Sequence, residues 1–399
     1  MSKFTQHFRM NEQDAMAYVA DKMDYFDEQA VLEASEIGDG NINYVFVVRD
    51  TASDKSIVLK HADVLLRSSG RELDVDRNRI EAEVLALQNK YAPGLVPKVY
   101  MYDPVMCVVV MEDISAYKNL RTELLARKTF PTFAEDITTF MVNTLLPTTD
   151  LVMDSGQKKD AQASYINKDL CKISEDLVLT EPFIDYKGRN VIIDGQLPYV
   201  EEHVYGDKEL VLQAGILKNN FMNNAQALLH GDLHSGSIFA NQDGVKVLDP
   251  EFAFYGPIGY DVGNVIGNLM FAWIHGKVVE EDASFVQWIE ETIGQIVDLF
   301  IKKFNVAYDE LVTDVMAKTP EYKAWYLKSV LSDTAGYAGT EIIRRTIGDS
   351  KVAEVSGVED HYKRIELERR LIQLGKALIL KRDDFMSSQM YAELLIRNK

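Results

Sequence analysis

The sequence predicts an α+β protein in two lobes, a small β-rich N-terminal one and a larger, mostly helical C-terminal one. Three observations lead there. Residues 1–111 contain five short runs with strand character and one charged helical stretch. From residue 117 onward, apolar residues recur mainly at helical spacing. Between the helical stretches lies one dense segment, His230 to Asn264, where glycines and acidic residues alternate with apolar ones.

The elements follow in order. Ala15, Met16, Val19 and Met23 are spaced for one face of a first helix. Ala30 to Ile37 and Asn43 to Val48 read as two strands joined by a turn at Gly38-Asp39-Gly40. Ile57 to Lys60 is a third strand, and residues 71–90 form a charged helix with an apolar stripe at Ile80, Val84 and Leu87. Val96 to Tyr102 and Met106 to Met111 supply two more strands, the latter apolar enough to be buried. The division predicted is residues 1–111, a connecting segment 112–116, and residues 117–399. Within the second part, Pro131, Pro147, Pro182 and Pro198 interrupt the helices. The helices of 265–330 carry no motif beyond packing.

Composition narrows the function. With 43 basic against 62 acidic residues, the net charge of -19 argues against a nucleic-acid binder, which needs a basic footprint. The two cysteines, Cys107 and Cys171, have no CxxC neighbour and read as reduced, buried thiols. No run approaches the roughly 20 apolar residues of a membrane span, and the first residues show no signal pattern. A soluble, cytoplasmic protein without membrane or nucleic-acid partners is expected.

The chemistry concentrates in a few places. In His230-Gly-Asp-Leu-His-Ser-Gly-Ser-Ile-Phe239, apolar flanks anchor a polar loop, and Asp232 is placed to orient or deprotonate a substrate hydroxyl. Alone, it reads more readily as a turn aspartate. Asp249-Pro250-Glu251 follows a strand, Lys246-Val-Leu, and sets two carboxylates on irregular backbone among apolar neighbours, a pair suited to Mg2+. Near the N-terminus, Gly38, Asp39, Gly40 and Asn41 form a glycine turn whose amides can approach phosphates. Lys60 ends the next strand, and either Glu81 or Glu83 can pair with it. A lone glycine turn or strand-end lysine says little. Their order does more: glycine loop, strand lysine, helix glutamate, connector, Asp232 loop and strand-end aspartate match a bilobal protein-kinase-like phosphotransferase.

These segments, together with Val110-Met-Glu-Asp113, Leu170 to Glu175 and Glu341-Ile-Ile-Arg-Arg-Thr-Ile-Gly348, resemble the aminoglycoside-phosphotransferase and choline-kinase branch of that fold. Within it, the sequence is most similar to the methylthioribose kinase family. The superfamily places a metal-binding Asn five positions after the catalytic Asp; here Ser237 stands there, and Glu251 replaces the usual glycine of DFG. The methylthioribose kinases share both changes, which implies that Glu251 is the second metal ligand beside Asp249. The resemblance further implies ATP as phosphoryl donor, with Asn43 and Lys60 contacting it. Backbone groups of Glu112, Asp113 and Ile114 would hold the adenine. Asp261 would brace the Asp232 loop, and Arg344 and Arg345 would reach the sugar and the transferring phosphoryl group. Two guanidinium groups disfavour a cationic aminoglycoside or choline and suit a neutral sugar. The expected reaction is phosphorylation of S-methyl-5-thioribose on its 1-hydroxyl, a step of methionine salvage, by a homodimer. A kinase of another small alcohol (a deoxypentose, an aminoglycoside or homoserine) and an inactive kinase-like binding module are the alternatives. One departure is Leu66 to Leu73, which lacks the tryptophan-containing Gly-Glu-Ser-Trp-Pro segment of that family.

Overall fold

The computed structural model describes residues 2–37, 43–63 and 72–398. The glycine turn (Gly38, Asp39, Gly40, Asn41) and most of the Leu66–Leu73 segment lie outside the described residues. The chain divides into two compact units: residues 1–116 with 248–251, and residues 117–247 with 252–399. The short segment carrying Asp249 and Glu251 thus groups with the first unit, whereas the sequence reading counted it with the second.

Unit 1 contains α1 (Glu12–Lys22), β1 (Leu32–Ile37), β2 (Tyr44–Asp50), β3 (Ser56–His61), α2 (Asp76–Tyr91), β4 (Val99–Asp103) and β5 (Val108–Glu112). The strands form one antiparallel sheet in the order β1-β2-β3-β5-β4. Helix α1 begins with a capping box in which Asn11 and Asp14 satisfy each other's backbone amides. Its Ala15, Tyr18 and Val19 join Phe46, Val48, Ile57, Leu59, Val108 and Val110 in a core. Met16 and Met23, expected on that face, are only partly buried. Side chains alternate across a strand, so Val58 and Lys60 point away from the face holding Ile57 and Leu59. Lys60 is thereby buried on the opposite side of the sheet, where it meets α2.

Unit 2 carries short strands β6 (Lys118–Asn119), β7 (Ala227–Leu228), β8 (Ile238–Asn241), β9 (Gly244–Val247) and β10 (Tyr255–Gly256). They pair as β6-β8-β9 and β10-β7. Its helices are α3 (Leu120–Leu125), α4 (Phe133–Leu145), α5 (Ser155–Ser164), α6 (Lys168–Ile173), α7 (Leu197–Val200) and α8 (Lys208–Asn223). They continue with α9 (Ile258–Val278), α10 (Ala283–Leu311), α11 (Pro320–Ile347), α12 (Ala353–Ser356), α13 (His361–Leu380) and α14 (Ser388–Arg397). Helix α9 is buried on nearly every side, as expected for a central helix. It packs closely on α11 because Gly263 has no side chain: a Cβ there would lie 2.6 Å from the Thr334 carbonyl oxygen. Among the described residues, no helix is long and apolar enough to cross a membrane. Both cysteines are free, but only Cys107 is fully buried; Cys171 is partly exposed, contrary to expectation.

Candidate active site

In unit 1 the strand lysine and the helix glutamate come together. Lys60 Nζ lies 2.7 Å from Glu81 Oε1 and 2.7 Å from Asp249 Oδ1. The choice between Glu81 and Glu83 is settled by helical phase. Glu81 shares the buried face of α2 with Arg77, Asn78 and Leu85, whereas Glu83 is exposed and pairs with Arg79 at 2.8 Å. Asp249 sits just past β9 with φ of 66°, a left-handed conformation that aspartate tolerates better than most residues. Glu251 accepts a hydrogen bond from Asn43 Nδ2 at 3.3 Å and lies 3.6 Å from Arg77 Nε. Arg77 also donates to Asn43 Oδ1 at 3.2 Å, closing a ring of side chains.

The charges in this cluster do not balance. Glu81, Asp249 and Glu251 bring three negative charges against the two of Lys60 and Arg77. Burial pushes the Glu81 carboxyl up to about 8; Lys60 opposes this, and Asp249 and Glu251 add to the rise. Burial likewise raises Glu251, again with Asp249 contributing. Lys60 is raised despite its own burial, because Asp249 and the two glutamates hold it charged. Carboxylates that resist ionisation for lack of positive charge are a fitting donor set for a divalent cation. Among the described residues no three or more such ligands converge as a complete protein cage.

The connecting segment is held by its side chains. Glu112 Oε2 accepts from the Lys98 amide at 3.0 Å, and Asp113 Oδ2 accepts from Ser56 Oγ at 2.6 Å. Asp113 Oδ1 accepts from the Ser115 amide at 2.9 Å. Both carboxylates therefore fix the local backbone on either side of Ile114.

In unit 2 the Asp232 loop connects β7 to β8. Gly231 takes φ of +84°, and a Cβ there would lie 2.2 Å from the Phe252 carbonyl oxygen, so only glycine fits. Asp261, in the first turn of α9, accepts from the His230 amide at 2.7 Å and the Gly231 amide at 3.0 Å. This is the bracing expected of it. Asp232 Oδ2 lies 3.3 Å from His234 Nε2, and Oδ1 lies 3.8 Å from Arg344. Burial works to raise the Asp232 carboxyl, but the charges of His234, Arg344 and Arg345 win and hold it well below the usual range. Its side chain is still 28% exposed, open enough to touch a ligand.

Arg344 and Arg345 are buried, not the exposed basic helix end that a dipole argument alone allows. Glu341, fully buried one turn earlier on α11, holds both. Its Oε2 accepts from Arg344 Nε at 2.5 Å and its Oε1 from Arg345 Nε at 3.1 Å. The arginine charges keep Glu341 down at about 2 although burial pushes the other way. Ser237 donates to, or accepts from, His234 Nδ1 at 3.3 Å. The sequence reading gave no role to Glu341, His234, Arg77 or Asn268. For Glu341 the signal was present, since carboxylates three and four residues before arginines on a helix share their face. His234 and Arg77 carried no such local signal.

A phosphotransferase enzyme family matches residues 208–294, which include the Asp232 loop and Asp261. Over nearly its whole length the chain is similar to proteins called methylthioribose kinase. One from Enterobacter sp. (strain 638) is 35% identical over 392 residues, covering 96% of this chain and 97% of its own. One from Yersinia pseudotuberculosis is 38% identical, covering 92% and 91%. One from Geobacillus thermodenitrificans is 36% identical, covering 98% and 97%. On these relationships, and with a strand lysine paired to a helix glutamate and an aspartate loop beside two buried arginines, the chain belongs to the methylthioribose kinase family.

Proposed function

We propose that the protein transfers the γ-phosphoryl group of ATP to the 1-hydroxyl of S-methyl-5-thioribose, giving S-methyl-5-thioribose 1-phosphate for methionine salvage. The observation that carries this is the pair of buried arginines beside Asp232. A carboxylate held ionised by His234 and two guanidinium groups can accept a hydrogen bond from a neutral sugar hydroxyl. It also leaves no excess negative charge to attract a polyamine.

In unit 1, Lys60 is charged and aimed by Glu81, and would contact the nucleotide phosphates. Asn43 and the glycine turn at Gly38, Asp39, Gly40 and Asn41 would take part in nucleotide binding, as would Pro250 between the two carboxylates. Backbone groups of Glu112, Asp113 and Ile114 would receive the adenine. Asp249 and Glu251 would hold Mg2+, which when bound neutralises phosphate charge. In unit 2, Asp232 is held ionised by His234, Arg344 and Arg345, so it can accept a hydrogen bond from the hydroxyl and orient it. A loose phosphoryl-transfer transition state asks little more, since the attacking oxygen keeps its proton until late. The hydroxyl oxygen bonds to the γ-phosphorus, the bond to the β–γ bridging oxygen breaks, ADP leaves, and the hydroxyl proton passes to Asp232 or water. Arg344 and Arg345 would stabilise the charge on the moving phosphoryl oxygens.

The same reading makes the enzyme a cytoplasmic homodimer with residues 1–111 as nucleotide lobe, 112–116 as hinge and 117–399 as catalytic lobe; light scattering on the purified chain tests the oligomeric state. The decisive assay measures ADP release with a panel of S-methyl-5-thioribose, deoxypentoses, homoserine and an aminoglycoside. The thioribose should be the preferred acceptor, and Asp232→Ala should reduce its turnover by ~1,000-fold or more while sparing ATP binding. An aminoglycoside turned over faster than the thioribose, or an active Asp232→Ala variant, overturns the reading.

A further inference from the structure

Among the polar side chains of helix α9 that the reaction as described leaves without a role, Asn268 has the most telling partners. Asn268 is almost wholly buried. Its Oδ1 accepts from the Ser235 amide at 3.3 Å, from Ser235 Oγ at 3.0 Å and from Arg121 at 3.5 Å. Its Nδ2 donates to the Asn264 carbonyl at 2.9 Å and to Glu341 Oε1 at 3.2 Å. The orientation of this amide follows from its partners: a backbone N–H can only donate, and an ionised carboxylate can only accept. Ser235 lies three residues after Asp232 in the same loop. Glu341 holds Arg344 and Arg345. One amide therefore joins the loop that carries the acceptor-orienting carboxylate to the anchor of both arginines.

We infer that Asn268 is a positioning residue that sets the Asp232 loop and the Arg344–Arg345 pair in register for transfer to the sugar. This rests on the assignment of Asp232 and the arginines above. The physical reason is the strength of the links. Both ends are buried and one partner is a charged carboxylate, surroundings in which hydrogen bonds are strong and hold their geometry. The loop is further held from α3 and β6, where the Arg121 amide donates to the Ser235 carbonyl at 3.1 Å and Asn119 Nδ2 to the Gly236 carbonyl at 2.8 Å. These bonds hold the loop independently of Asn268, while Asn268 is a hydrogen-bonded bridge from the loop to Glu341 beside the longer approach of Asp232 to Arg344.

Asn268→Asp tests this, because it keeps the acceptor for Ser235 and Arg121 but replaces the donor to Glu341 by an oxygen. The readout is the rate of phosphoryl transfer to S-methyl-5-thioribose divided by the rate of ATP hydrolysis without sugar, in the full-length protein with Mg2+. Loss of folded enzyme lowers both rates equally and cancels. The ratio should fall ~10-fold, with the KM for ATP within ~2-fold of its original value. An unchanged ratio overturns the inference. Should the Asp variant not fold, Ser235→Ala, which removes one donor at the other end, is read in the same way: a fall of ~3-fold supports the inference, and an unchanged ratio overturns it. Asp232→Ala is measured alongside. If it stays active, the assignment of Asp232 has failed; if it is inactive while the Asn268 and Ser235 ratios are unchanged, only the role of Asn268 has.

Discussion

Glu81 and Glu251 in unit 1, and Asp232 and Glu341 in unit 2, are all largely withdrawn from water, yet they titrate in opposite directions. The first two are raised and the second two lowered. Burial raises all four, so the difference lies in their charged neighbours. In unit 1 three carboxylates share one lysine and one arginine, whereas in unit 2 two carboxylates share two arginines and a histidine. The lesson is that the unit 1 cluster is one positive charge short, as the proposed Mg2+ site requires, while the unit 2 carboxylates are matched by two arginines.

The largest expected effect comes from deepening the deficit. Lys60→Met leaves Glu81 and Asp249 without their cation, and turnover should drop by ~1,000-fold with loss of the melting-temperature rise that Mg–ATP produces. A variant that keeps this rise would show that the lysine is not needed to balance the nucleotide site. Upsetting the balance of unit 2 should cost less. Glu341→Gln keeps the shape but frees both arginines from their carboxylate, and kcat/KM for the sugar should fall by ~100-fold with little change in the KM for ATP. Equal losses in both constants would mean that the two clusters do not act separately.

A smaller effect tests the cation directly. Glu251→Gln should move the Mg2+ concentration that gives half-maximal activity up by ~10-fold, the loss expected when one carboxylate ligand is neutralised. An unchanged Mg2+ dependence would remove Glu251 from the metal. The smallest concerns stability. Asp333 on α11 is a carboxylate for which burial outweighs a hydrogen bond from Asn220 and the charge of Arg382, and its pKa is pushed up to about 6. A raised carboxyl pKa means the folded state binds the proton more tightly than the unfolded chain. Its penalty is therefore absent below about pH 4 and complete above about pH 6. Asp333→Asn should gain on the order of 3 kcal/mol relative to the original protein between pH 4 and pH 7, seen as a widening gap in melting temperature. A gap that stays constant with pH would break the parallel with Glu81 and Glu251.

Much of this was legible without coordinates. Period-two and period-3.6 patterns placed the five strands of unit 1 and the helices α1 and α2 to within a few residues. The His230–Phe239 motif located Asp232, and Asp261 was read correctly as a brace. Local sequence determined these because turn chemistry, side-chain alternation and short motifs act over a few residues. The choice of Glu81 over Glu83 needed the phase of α2 against the sheet, and the grouping of Asp249 and Glu251 with unit 1 needed the path of the chain beyond β9. The segment 265–330, which read as packing alone, holds Asn268, because its partners Ser235 and Glu341 lie 33 and 73 residues away. The sequence by itself determined which chemical groups are present and the elements that carry them. The signs of their pKa shifts were decided only by the tertiary structure, because charge balance depends on neighbours that close packing of α9 on α11, and of α2 on the sheet, brings within a few ångströms.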